Sequence, residues 1–347
     1  MSEYIDVANH MHSEHIERTK ESCRRHRILS TLPYTKIRFW NECVDTYSLR
    51  PSFIKYVIGL IKLAPRYDLV LLTGGERFDL IYLAVAGLLP WIKTPHVIAD
   101  AHWQKADGLL HFLQRAILRC GRRLAVQVQP HSQEEISIYH KIYGIPSSAL
   151  KPVPWSPTLT GHNVSPATPE ESGDFILTGG KSFRDYDTLF KAIAGLDIRV
   201  EVGLPAGSES QSIIEKWRDL SSVVFYTSWS NAQFIRKIAG CRLFVMPISG
   251  GLTRSTADQT ILNAMYFGKI VIATSSIGSR IYIKDGVNGF LVRENSVDDW
   301  RDAILKVLSL TDAEIKSIGA RAAYDAQINF SEPMRLVRTL ESALKVL

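Results

Sequence analysis

The chain has 347 residues, 46% of them hydrophobic and 22% charged, a length that favours two domains and a composition that implies no disorder for the bulk. Its net charge of +6 is uneven: residues 1–150 hold 19 Lys and Arg against 14 Asp and Glu, a surplus of +5, and the remainder holds 22 against 21. The first half is therefore the one to meet anionic surfaces, and without a nucleic-acid-binding motif a membrane or phosphorylated acceptor is favoured over nucleic acid. Cys23, Cys43, Cys120 and Cys241 are scattered, which excludes a Cys-x-x-Cys zinc or redox motif and predicts buried thiols in a reducing compartment.

Residues 1–30 predict a helix rich in Glu and Arg, with no apolar core of the kind a signal peptide needs. His10 and His12 would face different sides of that helix, and His15 and His26 find no Cys or Asp to complete a ligand set, so no metal site is assigned. The first strand candidate is 27–32, and no glycine precedes Gly59. Residues 54–63 have helical spacing. Residues 67–73 form a strand that ends in Gly74, Gly75 and Glu76 before a long apolar helix, a βα unit. The apolar stretch 80–92 is too short to span a bilayer and contains Gly87 and Pro90, so the protein is expected to be soluble or peripheral.

A strand over 95–99 delivers Asp100, Ala101, His102 and Trp103 to its carboxyl end, where ligand sites cluster in α/β folds. The helix over 108–125 places Leu109, Leu110, Phe112, Leu113, Ala116, Ile117, Cys120 and Leu124 on one face. His111, Arg115, Arg119, Arg122 and Arg123 fall largely away from it. The leading expectation is an apolar face packed on a sheet and a solvated basic face; the second is that the basic side also touches anionic lipid. A strand follows at 125–128, and Ser132 with Glu135 predicts a capping box for a helix that Gly144 ends.

Residues 152–173 concentrate Pro, Ser and Thr and read as an interdomain linker. The strand at 175–178 then runs into Gly179, Gly180, Lys181 and Arg184 at a helix start, a diphosphate cradle in which amides and helix dipole meet the oxygens and two cations neutralise them. Asp185-Tyr186-Asp187 has the spacing of an Asp-x-Asp metal motif, but first-turn carboxylates are expected for dipole reasons and are read as structural. Strands at 198–203, 223–227, 243–248 and 270–274 alternate with helices, the pattern of a doubly wound parallel sheet. Between the last two strands a loop carries Gly250, Gly251, Thr253, Ser255 and Thr256 ahead of a helix N-terminus. It suits an anionic or polyhydroxylated ligand, or is a bare polar loop. Helices are predicted at 297–308, 311–324 and 330–346.

The order strand, Pro247, loop, ILNAMYFGKIVIAT and then IKDGVNGFLV resembles the donor-binding half of nucleotide-sugar glycosyltransferases with the GT-B fold, nearest to the retaining family four, group one type. The matching positions are Leu262, Ala264, Met265, Gly268, Val271 and Ile272, and the turn Asp285, Gly286, Asn288, Gly289. The sequence departs from that pattern where Asn263 and Ser255 stand in place of a usual pair of Glu residues eight positions apart. The resemblance covers the second half well, residues 67–150 more loosely, and not the first sixty.

The resemblance implies two Rossmann-like doubly wound α/β domains facing across a cleft. The acceptor-side domain is expected over 1–151, the linker over 152–173 and the nucleotide-sugar-binding domain over 174–330, with a helix at 331–347 crossing back to the first. It implies transfer of a sugar, with retention, from a nucleotide diphosphate sugar to a glycan or lipid-linked acceptor in cell-surface polysaccharide or glycolipid synthesis, without metal or cofactor. The protein would then be cytoplasmic or attached at the inner face of the cell membrane, with an anionic membrane contact through 108–125 and no nucleic-acid partner. His102, Lys181 and Arg184 are the implied catalytic residues. Gly179, Gly180, Gly250, Gly251, Thr253, Ser255 and Asn263 would hold the donor, with Asn263 on the ribose, and Gly74, Gly75 and Glu76 would lie on the acceptor side. Two rivals are a catalytically silent sugar-nucleotide-binding or partner subunit, suggested by the missing Glu pair, and a sugar-nucleotide epimerase, which would want several acidic and His groups for proton removal.

Overall fold

The structure, a computed structural model, describes residues 2–48, 52–159, 173–180 and 182–347, with side chains from residue 12. Lys181, the His10 side chain and residues 160–172 of the expected linker lie outside the described residues. The chain divides into two compact units, Met1–Pro154 with Glu332–Leu347, and Trp155–Ser331. The elements are α1 (Ser2–Cys23), β1 (Ile28–Ser30), α2 (Arg38–Cys43), β2 (Asp45–Thr46), α3 (Phe53–Leu63), β3 (Leu69–Thr73), α4 (Arg77–Gly87), β4 (His96–Ala99), α5 (Gly108–Gly121), β5 (Ala125–Val128) and α6 (Glu134–Tyr143). There follow β6 (Ile176–Gly179), α7 (Tyr186–Ile193), β7 (Val200–Gly203), α8 (Ser208–Trp217), β8 (Val223–Tyr226), α9 (Asn231–Gly240), β9 (Leu243–Met246), α10 (Asp258–Tyr266) and β10 (Ile270–Thr274). The chain closes with α11 (Ser279–Tyr282), β11 (Phe290–Val292), α12 (Val297–Leu308), α13 (Asp312–Tyr324) and α14 (Glu332–Leu344).

In the first unit five parallel strands run in the order β2-β1-β3-β4-β5. The run Leu69–Thr73 is apolar without alternation because both of its faces are covered. Leu69 and Leu71 pack with Trp40 of α2 and with Leu336, Val337 and Leu340 of α14. Val70 and Leu72 pack with Tyr56 and Leu60 of α3, Tyr82 of α4 and Tyr139 of α6. The terminal helix thus belongs to this unit's core. The unit opens with a helix, and its first βα step is rebuilt around a three-residue strand and the six-residue α2. Buried Asp79, in the first turn of α4, accepts from the Thr73 amide at 2.9 Å and from the Thr31 and Tyr56 hydroxyls, which fixes the turn 74–76 between β3 and α4.

The second unit is a six-stranded parallel sheet, β11-β10-β9-β6-β7-β8. Leu243 and Val245 of β9 face one core cluster, Phe244 and Met246 the other. The turn after α11 is structural: Asn288 is buried and donates to the Tyr282 carbonyl and to Asp325, and Gly286 takes φ 70°.

Three expectations need correction. Cys120 is exposed, because the helix that carries it turns its apolar side outward; the other three cysteines are buried. Helix α6 starts at Glu134, not in a full capping box: Glu135 takes the Ser132 amide at 2.7 Å, while the Ser132 hydroxyl takes Glu134's amide at 3.1 Å. The expected linker is ordered at its start, where the Trp155 amide donates to the Tyr282 hydroxyl at 3.0 Å and Ser156 is buried.

Candidate functional site

In the second unit the glycine loops that follow β6 and β9 lie side by side at the carboxyl edge of the sheet and are hydrogen-bonded to one another. The Asp185 amide donates to the Pro247 carbonyl at 3.2 Å and the Ser249 amide to the Phe183 carbonyl at 3.0 Å, with Arg184 and Ile248 in a backbone bridge. Sequence-distant loops are thereby joined into one rim. Glycine is required at the first: a Cβ on Gly179 would sit 2.7 Å from the Phe234 ring and 2.8 Å from the Gly203 carbonyl, and Gly180 has φ 100°.

Arg184 folds back over this loop, its Nε donating to the Gly179 carbonyl at 3.2 Å and its Nη1 to the Ser182 carbonyl at 2.8 Å. Burial lowers its pKa, with the Tyr186 hydroxyl acting in the opposite direction. An anion placed beside it would favour the charged form. The Tyr186 hydroxyl donates to the Gly180 carbonyl at 2.6 Å, so two side chains shape the cradle. The Asp-x-Asp carboxylates have structural work: Asp185 caps α7 by accepting the Thr188 amide at 3.1 Å, and Asp187 pairs with Lys216 at 2.5 Å and accepts from the Trp217 indole at 2.8 Å.

In the second loop Gly250 lies against Glu294, whose Oε2 would be 2.4 Å from an added Cβ, and Gly251 takes φ 71°. Ser255 is fully buried and Thr253 half-buried. Arg254 lies over the Phe183 ring at 5.3 Å, a cation at the junction of the two loops. Helix α10 begins after Ala257 at φ 66°, which makes no side-chain cap, so the positive end of its dipole, with Asp258 in the first turn, lies at the end of the loop. Asn263 is buried on α10, and its Oδ1 accepts the Thr158 amide at 2.9 Å.

A pocket of about 300 Å³ opens here, lined by Gly180, Gly203, Pro205, Trp229, Gln259 and Asn263 among others. It brings Gly180 and Asn263 together, and adds groups that the sequence reading passed over. Gln259 and Thr260 stand in the first turn of α10, and Trp229, stacked on Tyr226 at 4.3 Å, forms an aromatic wall with Phe234. The signal for Gln259 and Thr260 was their place just after the loop. For Trp229 it was a position past a predicted strand end, one of many such loops.

In the first unit His102 lies half-buried beyond the carboxyl end of β4, its ring stacked on buried His131 with centroids 5.0 Å apart. Gly74 is buried and packs on the same segment: a Cβ there would be 2.7 Å from the Ala101 Cα, and its carbonyl accepts the Trp103 indole at 2.7 Å. Its role is close packing. Gly75 is exposed and Glu76 half-buried at the start of α4. Next to His102, Asp100 is held at φ 53° by Arg335 and lies near the Tyr34 hydroxyl at 3.4 Å. Burial is the largest single influence and would lower Arg335, but the Asp100 carboxylate and the Tyr34 oxygen together outweigh it and hold the guanidinium above its usual range. Among the described residues no cluster of His, Cys, Asp and Glu is arranged to hold a metal ion.

Residues 184–310 match the family model described as Glycosyl transferases group 1. The fold is shared with HepE (Alr3699) of Anabaena, solved with UDP, at TM-score 0.68 and 17% identity over 92% of each chain. A glycosyltransferase from Rickettsia africae gives TM-score 0.67 at 16% identity, covering 95% of this chain and 94% of the other. The lipopolysaccharide outer core galactosyltransferase WaaB gives TM-score 0.62 at 17% identity, covering 88% and 84%. No curated protein matches the sequence. The architecture is therefore that of the GT-B glycosyltransferases.

Proposed function

We propose that this chain, a GT-B protein whose residues 184–310 form a Glycosyl transferases group 1 domain, transfers a sugar from a nucleotide diphosphate sugar to a glycan or lipid-linked acceptor. The observation that carries the reading is the joined rim of the two glycine loops, where Gly180 of the first loop and the start of α10 line a pocket of about 300 Å³ with an aromatic wall; the second loop, with Gly250 and Gly251, borders the first without lining that pocket. The glycine amides and the α10 dipole suit a diphosphate, and the walls of Trp229 and Pro205 suit a base. Because HepE is solved with UDP, a uridine nucleotide is the first donor to try.

In the transfer the bond from the anomeric carbon to the diphosphate oxygen breaks, the acceptor oxygen bonds to that carbon, and the acceptor hydroxyl's proton passes to the departing diphosphate or to water. Negative charge grows on the leaving diphosphate. Groups already aimed at that position stabilise it without reorganising, and in such a site this lowers the barrier more than any other single effect. We assign that work to Arg184, to Lys181 from its place in the sequence after Gly180, and to the amides about Gly180 and Gly250. Asn263 serves the ribose, and His102 the acceptor side. Retention at the anomeric carbon is part of the proposal.

The test is incubation of the full chain with a panel of nucleotide sugars while released nucleoside diphosphate is measured. Release from at least one donor, abolished by removing it, supports transfer or its hydrolytic side reaction. Tight binding of a donor with no release under any condition would favour a silent binding subunit instead. That alternative draws on Asn263 and Ser255 standing where carboxylates are usual.

A further inference from the structure

Helix α5 turns the wrong side inward for an ordinary core helix. Apart from Leu118, which packs against the core, its inner contacts are polar or small: Gln114 donates to the Gln104 carbonyl and accepts the Ala106 amide, both at 3.2 Å. Gly121 packs on Leu83, and Gly87 of α4 meets the Cys120 carbonyl so closely that a Cβ would lie 2.1 Å away. On the opposite side Leu109, Leu110, Phe112 and Leu113 are 73%, 65%, 67% and 46% exposed. A contiguous apolar stripe of this kind marks an interaction surface. The expectation that this face packs on the sheet is thus overturned for Leu109, Leu110, Phe112, Leu113 and Cys120, though Leu124 beyond the helix is buried as expected, because the glycine contact that seats α5 on α4 fixes the helix with its stripe outward.

Beside the stripe runs a groove of about 830 Å³, with Arg115, Arg119 and Arg122 on one wall and Val126, Tyr143 and Pro146 among its apolar lining. Every charged residue in that lining is an arginine. Arg123 is not part of it: its guanidinium donates to the carbonyls of Ala86, Gly87, Leu89 and Ile92 and ties α5 to the end of α4. A two-fold contact with a second copy would bring two arginine-bearing patches of the same sign together, so the charge favours an anionic partner. No helix among the described residues is long and apolar enough to cross a membrane, so an apolar stripe flanked by cations fits a helix lying in the plane of the interface.

We propose that α5 docks in the plane of an anionic phospholipid bilayer, with Leu109, Leu110, Phe112 and Leu113 among the acyl chains and Arg115, Arg119 and Arg122 drawing one lipid phosphate into the groove. This goes beyond the transfer reading and does not depend on it. The apolar side supplies depth and the arginines supply selectivity, whereas a purely electrostatic contact would use the basic side alone.

The full chain is sedimented with vesicles of phosphatidylcholine alone and of phosphatidylcholine with phosphatidylglycerol, at low and high salt. The wild type should bind the mixed vesicles, and more weakly at high salt. The variant L109S/L110S/F112S should lose at least about 100-fold in partition coefficient, since each residue forfeits apolar burial. The variant R115E/R119E should lose at least about 30-fold on mixed vesicles, at roughly fivefold per cation lost near the surface with the new carboxylates adding repulsion, and keep its weak partition into neutral ones. All the altered side chains are exposed, and circular-dichroism melts should match the wild type. Failure of the wild type to bind mixed vesicles, or equal sedimentation of the variants, overturns the proposal. So would a vesicle-free dimer that L109S/L110S/F112S converts to monomer, which would give the stripe to a second copy of the chain.

Discussion

Arg184 has two duties that a substitution would expose. It holds the first glycine loop by donating to the Gly179 and Ser182 carbonyls, and in the proposed transfer it is a cation for the diphosphate. Arg184→Ala should weaken nucleoside diphosphate binding by ~1.5–3 kcal/mol, the worth of a charge-assisted hydrogen bond, as read by titration calorimetry. An unchanged affinity would remove the cradle from the account. A substitution at Trp229 tests the base apart from the phosphate. Trp229→Ala should lower nucleotide affinity by ~1–3 kcal/mol while binding of inorganic diphosphate stays as it was, because stacking is lost and charge is not. Equal loss for both ligands would mean that the ring only supports the loop through Tyr226 and Phe234. At this scale the sequence was a partial guide. Gly179, Gly180 and Arg184 stand out because the Gly pair is followed by two cations at a helix start, whereas the pairing of Asn263 with Thr158 joins residues 105 positions apart and has no local signal.

Among single elements, β4 carries a buried histidine with a pH consequence. His96 Nδ1 faces the Thr94 carbonyl at 2.8 Å, which can only accept, so Nδ1 bears the proton and Nε2 accepts from the Tyr82 hydroxyl at 2.8 Å. Burial, partly offset by the Thr94 carbonyl, pushes its pKa down from 6.5 to about 4. Between those values the unfolded chain takes up a proton that the folded chain refuses. Stability is therefore full above pH 6.5 and falls as pH drops toward 4, by up to ~3 kcal/mol. Urea unfolding of wild type and His96→Gln between these pH values should show a shallower acid slope in the variant, which has no such proton to bind. Parallel slopes would show that His96 titrates normally. Helix α5 shows the limit of pattern reading at this scale. Apolar spacing reveals that a helix has two sides but not which side meets the protein, and here Gly87 and Gly121 decide it through a backbone contact.

For the whole molecule the two-sheet plan was legible because parallel strands buried on both faces, such as Leu69–Thr73 and Ile270–Thr274, read as unbroken apolar runs between helical patterns. The first βα step was not, since a three-residue strand and a two-residue strand give too little pattern. Nor was the anchoring of 155–158, whose partners Tyr282 and Asn263 lie over a hundred residues away. Because Asp185 caps a helix and Asp187 is committed to Lys216 and Trp217, turnover should persist in EDTA. Loss of activity on chelation, restored by Mn²⁺, would show that these carboxylates serve a metal.

The most direct measurement is thermal unfolding of the full chain across a panel of nucleoside diphosphates, repeated on Arg184→Ala. At least one should stabilise the wild type, by ~2.7 kcal/mol at a hundred times its Kd, and stabilise the variant less at the same concentration. If none of the nucleoside diphosphates stabilises the wild type, the second unit does not bind a nucleotide donor and the proposed transfer is contradicted.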